Sequence, residues 1–374
     1  MTIVFYVSGH GFGHASRVIE VINALAGLAP GTSLIVRTST PKWLFDVTLG
    51  APAAYHGAVC DVGVLQGDSL HLDIPRTARE AAAFYAGLDD RAGAEAAFLN
   101  GCGADLVVAD IPPLAFAAAD RAGIPSVAMA NFTWDWIYGA YREDFPALDA
   151  VNAAIRRAHG LASAVIRLPM WGGFEGFRCP IVDVPFVARH STRDPAEVRA
   201  WLDLRPGQRM ALASFGGLGI AGLELEPLAR LSGFTVVTTG HALSLRGNIP
   251  AGVRLLDDRA IYAAGFRYED LVRAADVVVT KPGYGIIAEC LANDTAMLYT
   301  SRGHFVEYDV MVEAMPHFLR CRFIGQEDLY GGHWQAHLDA LVAQPPPPER
   351  PATDGAEVAA RLILGSDPKP RVSG

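Results

Sequence analysis

The sequence predicts an α/β protein with two Rossmann-like domains, each a doubly wound parallel sheet, facing a central cleft. Two apolar strands, at 3–7 and 276–280, each run into a glycine-rich turn and then into a helix. Between these turns, short β-rich runs alternate with amphipathic stretches, as in parallel sheets with crossover helices. The 374 residues are enough for two domains, each with its own core. The first turn comprises Gly9, His10, Gly11, Phe12 and Gly13, and the second Lys281, Pro282, Gly283, Tyr284 and Gly285.

Composition narrows the function classes. Apolar residues make up 51% and charged residues 19%, a balance typical of compact globular domains. The net charge of −9 argues against nucleic acid as a main partner, because a phosphate backbone needs a basic surface. The five cysteines form no CxxC pair and predict buried thiols in a reducing compartment. No run approaches the roughly 18 apolar residues of a membrane span, and no signal peptide is recognisable. We therefore expect a cytoplasmic protein.

In the first half, strands are predicted at 3–7, 33–37, 105–110, 126–129 and 164–168. The helix between the first two spans 15–28, where apolar residues recur at helical spacing. Pro112 and Pro113 begin a later helix, because proline is tolerated in the first helical turn. A proline-punctuated segment then places the domain junction near Asp183, which gives an N-terminal domain at 1–182.

The second half resumes the alternation, with strands predicted at 210–214, 235–239, 253–256, 276–280 and 296–299. Helices are expected at 222–231, at 268–275 and around Glu289. This gives a C-terminal domain at 183–352. A helix within 353–366 is expected to pack back on either domain, and a disordered tail follows at 367–374.

Four segments resemble a known family. They are VSGHGFGHASRVIEVINAL, DLVVADIPPLAFAAADRAGIPSVAMANFTWDWIY, the connector VDVPFVAR and the later KPGYGIIAE. Together they are similar to the N-terminal domain of plant-type L-arabinokinases and its free-standing bacterial relatives, and more distantly to MurG-type glycosyltransferases. The similarity runs from Ile3 to about Leu341.

The resemblance implies the GT-B fold, with a nucleotide-sugar donor held mainly by the C-terminal domain and an acceptor held mainly by the N-terminal one. It also implies sugar transfer without a bound metal or other cofactor. The pairs Asp89-Asp90 and Asp257-Asp258 belong to no ligand cluster and predict solvated surface. The sequence ends before any GHMP-type kinase domain, so we expect no phosphotransfer.

The N-terminal glycine turn is predicted to carry a catalytic base. Its spacing departs from GxGxxG, and the glycines alone fit phosphate contact and tight packing equally. Neither His10 nor His14 is needed to form the turn. We expect His14 at the start of the first helix, where the dipole favours a neutral imidazole that can accept the proton of an acceptor hydroxyl. The MurG pattern also ends this loop in a histidine. The alternative is a histidine that only caps or packs.

Asp110 ends an apolar strand and is expected to face the same cleft. It could orient a histidine, replace it as the base or bind the acceptor. Equally, it could be the N-cap of the helix that Pro112 begins.

The turn at 281–285 and its helix predict the donor site. Amides at a helix N-terminus bind diphosphate, and the glycines allow a close approach. Lys281 is expected to neutralise phosphate charge. Glu289 is expected to accept hydrogen bonds from the ribose hydroxyls, as the matching glutamate does in GT-B transferases. Its alternative is a solvated acid in the first helical turn.

Two further loops complete the predicted donor set. Gly216 and Gly217 follow a strand, where they could present amides to the diphosphate or form a loop without a ligand. After Tyr299, resemblance makes His304 and Glu307 candidates for the sugar hydroxyls, although this loop could simply cap the next helix.

The aromatic run after the strand at 126–129 predicts an acceptor site. Sugar rings stack on aromatic faces, and carboxylates accept hydrogen bonds from hydroxyls. We therefore predict that Asn131, Trp134 and Asp135 line this site, although aromatics at such density more often form core.

These features predict a metal-independent, inverting glycosyltransferase that moves a hexose or N-acetylhexosamine from a nucleotide sugar to a hydroxyl acceptor. UDP as the nucleotide follows from resemblance alone. Two alternatives stay open: a sugar-nucleotide sensor or regulatory module that transfers nothing, and a sugar-nucleotide epimerase or hydrolase. A pure sensor needs no base beside its ligand, so His14 and Asp110 are the features that distinguish it.

Overall fold

A computed structural model of the chain describes residues 1–216, 219–239, 243–244 and 249–365. Contacts divide the chain into two compact units. Among the described residues, the first contains 1–65, 73–187 and 352–365, and the second contains 66–72 and 188–351. Gly217 and the predicted tail at 367–374 lie outside the described residues.

The first unit is built on a seven-stranded parallel sheet. Its strands are β1 (Thr2–Val7), β2 (Ser33–Thr38), β3 (Ala54–Gly57), β4 (Leu106–Asp110), β5 (Ser126–Phe132), β6 (Ala164–Gly172) and β7 (Ile181–Asp183). They lie in the order β3-β2-β1-β4-β5-β6-β7. The sheet therefore continues one strand beyond the predicted last strand, because the short edge strand β7 pairs with Val165 to Arg167.

Helices cover this sheet: α1 (Phe12–Leu28), α2 (Lys42–Thr48), α3 (Ile74–Ala86), α4 (Leu88–Gly101), α5 (Pro113–Ala122), α6 (Trp134–Gly139) and α7 (Leu148–His159). The predicted apolar face of α1 is buried, with Val18, Ile22 and Leu25 packed on Phe5 and Val108 of the sheet. Burial of such side chains contributes about 1.5–3 kcal/mol each.

The second unit holds a six-stranded parallel sheet, with a separate pair formed by β9 and β11. Its strands are β8 (Arg209–Ala213), β9 (Ile220–Ala221), β10 (Phe234–Thr239), β11 (Leu243–Ser244), β12 (Val253–Leu256), β13 (Val277–Thr280), β14 (Ala296–Tyr299) and β15 (Cys321–Phe323). The larger sheet has the order β12-β10-β8-β13-β14-β15. This doubly wound, parallel arrangement in each unit confirms the predicted fold class.

The helices of the second unit are α8 (Pro195–Trp201), α9 (Leu225–Leu228), α10 (Asp258–Ala263), α11 (Tyr268–Ala274), α12 (Tyr284–Ala292), α13 (Val306–Phe318), α14 (Gln326–Tyr330) and α15 (Gln335–Val342). The helix predicted at 222–231 is much shorter, because Gly222 has a φ of 86° and cannot join a right-handed helix. The last helix, α16 (Gly355–Leu364), packs against α1 in the first unit.

Each sheet reverses its strand order at one point. In the first unit, β1 and β4 run side by side with Val7 opposite Asp110. In the second, β8 and β13 are neighbours with Ala213 opposite Val279. Ligands of doubly wound sheets bind beyond the carboxyl ends of the strands at such points. We therefore expect ligand-binding residues at the ends of these four strands and directly after them.

Candidate active site

The first cluster lies beyond β1 and β4. Gly11 has a φ of 72°, a conformation that glycine adopts without strain, and it ends the turn so that α1 begins at Phe12. The predicted glycine loop is therefore shorter than expected, because Phe12 and Gly13 are helical. His14 lies in the first turn of α1, and only 6% of its side chain is exposed. Its Nδ1 lies 2.9 Å from Asp110 Oδ1.

Asp110 binds side chains of α1. Arg17 donates from Nε to Oδ2 and from Nη2 to Oδ1, the latter over 2.6 Å. Burial opposes ionisation of the carboxyl, but Arg17 and then His14 outweigh it and lower the pKa of Asp110 below its ordinary value. Asp110 is therefore an anion at neutral pH. The N-cap alternative is wrong, because Pro112 occupies the N-cap of α5.

A second carboxylate reaches the same cluster from the irregular segment after β3. Asp61 is 6% exposed and accepts a hydrogen bond from Trp134 Nε1 over 2.9 Å. Burial raises the pKa of Asp61, although the Ser8 hydroxyl, His14, Trp134 and the Gly9 amide all favour its ionised form. Asp61 therefore ties the glycine turn to α6.

Aromatic rings enclose the His14 imidazole. Its centroid lies 5.5 Å from the ring of Phe132, 6.1 Å from Trp134 and 6.5 Å from His10. In the described part of the chain, no hydrogen bond involves Nε2 of His14. This nitrogen is the one that could exchange a proton with a substrate.

The predicted acceptor residues are all buried. Asn131 accepts from Arg17 Nη1 and donates from Nδ2 to the carbonyl of Pro169 over 2.6 Å. Trp134 is fully buried. Asp135 is 1% exposed, and its carboxylate accepts from Arg156 Nε over 2.8 Å. These contacts fit the packing alternative, since the three side chains hold the elements around His14 together.

His159 lies behind this layer. It is fully buried, stacks on Phe177 with centroids 4.5 Å apart and has Nδ1 3.6 Å from Asp135 Oδ1. Burial lowers the pKa of His159 to about 4, although Asp135 acts in the opposite direction. His159 is therefore a neutral, structural histidine at physiological pH.

The second cluster lies beyond β8, β13 and β14. Gly283 is the N-cap of α12, and among the described residues no side chain caps this end and no acid occupies its first turn. Its amides therefore retain the capacity to bind an anion. Burial and, to a smaller extent, the charge of Arg302 lower the pKa of Lys281 to about 7, although Glu307 acts in the opposite direction. Pro282 and Tyr284 are buried, whereas Gly283 and Gly285 are half-buried.

Glu289 lies in the second turn of α12 and is 4% exposed, so the alternative of a solvated first-turn acid is wrong. Arg189 donates to its Oε1 from Nε over 2.7 Å and also from Nη2. Burial raises the pKa of Glu289, although Arg189 lowers it. No described group donates to Oε2, so one carboxylate oxygen remains available to a ligand hydroxyl.

The other donor candidates differ in exposure. Glu307 is 5% exposed and forms an ion pair with Arg302, whose Nη1 lies 3.2 Å from Oε1. His304 is exposed. Gly216 has a φ of 72°, and Phe215 before it accepts a hydrogen bond from the hydroxyl of Ser69.

In the described part of the chain, cavities also lie outside these clusters. One, of about 710 Å³, is in the first unit and is lined by Tyr85, Val151, Arg156 and a series of alanines. Another, of about 400 Å³, is in the second unit beside Glu269 and Asp270. Neither is lined by a residue that the sequence predicts to be functional.

Comparison with known proteins identifies the fold and one relative. No family model matches the sequence. An L-arabinokinase from Arabidopsis thaliana is 29% identical over 378 residues, which covers 97% of this chain but 34% of that protein. The chain is a homologue of that part of the kinase, as the resemblance predicts. It spans about a third of the length of this curated relative.

Solved structures agree over almost the whole chain. The glycosyltransferase SnogD from Streptomyces nogalater matches with a TM-score of 0.56 at 17% identity, covering 98% of this chain and 99% of that one. Arabidopsis thaliana UGT89C1 complexed with UDP matches with a TM-score of 0.57 at 16% identity, covering 97% and 94%. The fold is GT-B.

Three charged residues of these two clusters are not predicted from the sequence: Arg17 and Asp61 beside His14, and Arg189 beside Glu289. Arg17 lies in the segment VSGHGFGHASRVIEVINAL and Arg189 in VDVPFVAR, which both carry the resemblance and give a hint for these two residues. Asp61 lies in none of the four segments. No helix in the described part of the GT-B chain is long and apolar enough to cross a bilayer.

Proposed function

We propose that this GT-B chain is a glycosyltransferase that transfers a sugar from a nucleotide donor with inversion, using His14 as general base. The observation that carries the proposal is the pairing of His14 Nδ1 with Asp110 Oδ1 over 2.9 Å, at the strand-order reversal of the first sheet. An imidazole held at Nδ1 by an ionised carboxylate can accept a proton at Nε2. This chemistry has no purpose in a protein that only binds its ligand.

We assign the donor to the second unit. The amide N–H groups at the start of α12 and the Lys281 side chain suit a diphosphate, since both favour anions. Oε2 of Glu289 suits the ribose hydroxyls, because Arg189 holds the carboxylate through Oε1 alone. His304 and Glu307 remain candidates for the sugar, with Glu307 oriented by Arg302.

The proposed reaction is a single displacement. The acceptor oxygen attacks the anomeric carbon as its proton passes to Nε2 of His14, and the bond from that carbon to the diphosphate oxygen breaks. The nucleoside diphosphate leaves with the electron pair. Preorganised amides and the Lys281 ammonium stabilise the negative charge that develops on it, and stabilisation of this kind usually contributes most of the rate enhancement of an enzyme.

UDP is the proposed nucleotide, and a hexose or N-acetylhexosamine is the proposed sugar. Support comes from the UDP bound to UGT89C1 and from the distant resemblance to MurG-type enzymes. A second candidate function has an observation in its favour. Arg17 partly neutralises Asp110, which suits a sugar-nucleotide sensor that needs no strong base.

Thermal denaturation with UDP-, GDP-, dTDP- and ADP-sugars tests the donor assignment, since a ligand that binds the folded state raises Tm. Glu289→Gln should reduce the shift given by the preferred donor, while Glu197→Gln, an exposed acid of the same unit, should leave it unchanged. A ligand-induced rise in Tm as large in Glu289→Gln as in the wild type would refute the assignment of the donor pocket.

Release of UDP from UDP-sugar, measured with and without a panel of hydroxyl acceptors, tests the base. His14→Gln should keep donor affinity and slow acceptor-dependent release by about 10²–10⁴-fold. The matched control is His71→Gln, whose side chain is 65% exposed. Tight donor binding without release on any acceptor in the wild type would favour the sensor.

A further inference from the structure

Arg17 is placed to influence which ring nitrogen of His14 carries the hydrogen. It follows His14 by one helical turn on α1 and is 7% exposed. Its guanidinium uses Nε and Nη2 on the two oxygens of Asp110 and Nη1 on Asn131 Oδ1. Nη2 also lies 2.8 Å from His14 Nδ1. One arginine therefore touches the candidate base and the carboxylate that holds it.

These contacts place opposite demands on one ring nitrogen. Nδ1 lies 2.9 Å from Asp110 Oδ1, which can only accept while it is ionised, and 2.8 Å from Arg17 Nη2, which can only donate. If Nδ1 carries the proton, it satisfies Asp110 and opposes Arg17. If Nδ1 is bare, it accepts from Arg17 and faces the carboxylate with its lone pair. Neither tautomer satisfies both neighbours.

We propose that Arg17 is a positioning residue that weakens the hold of Asp110 on Nδ1 and so populates both neutral tautomers of His14. The form with hydrogen on Nδ1 offers a base at Nε2, and the form with hydrogen on Nε2 offers a donor there. A histidine held by a carboxylate alone would keep only the first form. The inference deepens the proposed function and rests on it, because it describes how the proposed base is prepared in the resting protein.

Other groups around the ring do not remove this conflict. Asp61 is the second carboxylate that interacts electrostatically with His14, and its pKa is raised by burial. His10 lies with its centroid 6.5 Å away, and the remaining neighbours, Phe132 and Trp134, are uncharged. Among the described residues, direct contacts with Nδ1 therefore come from one anion, Asp110, and one cation, Arg17.

Nitrogen-15 NMR of the histidine rings measures the tautomers directly, because protonated and bare ring nitrogens differ widely in chemical shift. The spectrum is recorded on the full chain without substrate, at a pH where the ring is neutral. His14→Gln assigns the signal among the eleven histidines. We expect wild-type His14 to show a measurable fraction with hydrogen on Nε2. Exclusive protonation of Nδ1 in the wild type would overturn the proposal without any variant.

Arg17→Gln should shift His14 to the tautomer with hydrogen on Nδ1, so that the Nε2–H fraction falls several-fold. The matched control is Arg37→Gln, since Arg37 clamps Glu95 in the same two-pronged way, over 2.9 and 2.6 Å, in the same unit. It should leave the His14 tautomers unchanged. An unchanged tautomer ratio in folded Arg17→Gln would also refute the proposal.

The NMR result is independent of turnover. If His14→Gln keeps full activity, the proposed function fails while the tautomer measurement still stands or falls by itself. If Arg17→Gln leaves the tautomer ratio of His14 unchanged while His14→Gln abolishes turnover, only the inference about Arg17 fails.

Discussion

Arg189 and Glu289 form a buried ion pair across 100 residues of sequence, with Nε of the arginine 2.7 Å from Oε1 of the carboxylate. Glu269 approaches the same guanidinium, with Oε2 3.5 Å from Nη1. One cation thus stands between two buried acids. A buried charge without a partner is strongly unfavourable, so the stability of the second unit depends on Arg189.

Arg189→Met should therefore lower the free energy of unfolding by about 3–5 kcal/mol in urea titrations. Burial already raises the pKa of Glu289, and loss of Arg189 should raise it further. A carboxyl whose pKa is raised on folding loses stability as pH rises, so the defect should be smaller at pH 5 than at pH 8. Arg193→Met should have little effect on the free energy of unfolding, because it removes only a half-exposed ion pair in which Arg193 Nη1 lies 3.9 Å from Glu197 Oε2. Equal losses in the two variants would contradict the prediction.

Lys281 should take up a proton when UDP binds. Its pKa of about 7 leaves much of the side chain neutral at pH 7.5, and a nearby diphosphate favours the charged form. Calorimetry in buffers of different ionisation enthalpy should show uptake of up to about one proton at that pH. Lys281→Met should abolish the uptake and weaken binding, whereas Lys42→Met, at an exposed pair with Asp46, should do neither. Buffer-independent heats in the wild type would rule this out.

Trp134→Phe should reduce activity at the first cluster by more than its loss of stability explains. The indole donates to Asp61, so the variant leaves a buried carboxylate without one of its donors, at about 1–3 kcal/mol. Trp334 gives a matched control, because it is equally buried and donates to the carbonyl of Leu329 over 2.9 Å in the second unit. Both variants should lower the urea midpoint, but Trp134→Phe alone should slow release of UDP. The prediction fails if the two variants lose activity equally.

His159 should make the first unit sensitive to acid. Its pKa of about 4 in the folded chain lies below the ordinary 6.5, so the unfolded chain binds more protons between these values. The stability contribution is complete above pH 6.5 and is lost as pH falls towards 4, by about 3 kcal/mol in total. The free energy of unfolding, measured from pH 4 to 7, should depend less steeply on pH in His159→Gln than in the wild type. Identical slopes in the wild type and the variant would contradict the prediction.

The strands, the two glycine turns and the helix that carries His14 follow from local sequence, because apolar alternation and glycine turns are short-range signals. The structure confirms the parallel, doubly wound sheets. The approach of His14 to Asp110 can also be predicted in outline. His14 follows β1 and Asp110 ends β4, and the carboxyl ends of neighbouring parallel strands lie at the same edge of the sheet.

What the sequence could not supply are partners defined by long-range packing. Arg17 reaches Asp110 only because β1 and β4 are neighbours, and Asp61 arrives from a segment without a periodic pattern. The prediction that Trp134 and Asp135 line an acceptor site rests on side-chain chemistry that is the same in buried and exposed positions. Burial of these two side chains depends on α6 packing against α7, which no local pattern specifies.

Seven residues from the first half of the chain, 66–72, complete the second unit. Ser69 donates its hydroxyl to Phe215 and its backbone amide to Gly219 over 3.0 Å, and Leu70 is 2% exposed within that unit's apolar core. A recombinant hybrid that imports only 188–351 from a homologue would thus combine a foreign core with the native 66–72 peptide. Swapping both stretches together keeps the matching set intact, so gene shuffling aimed at new donor preferences has to exchange two separate pieces of the chain.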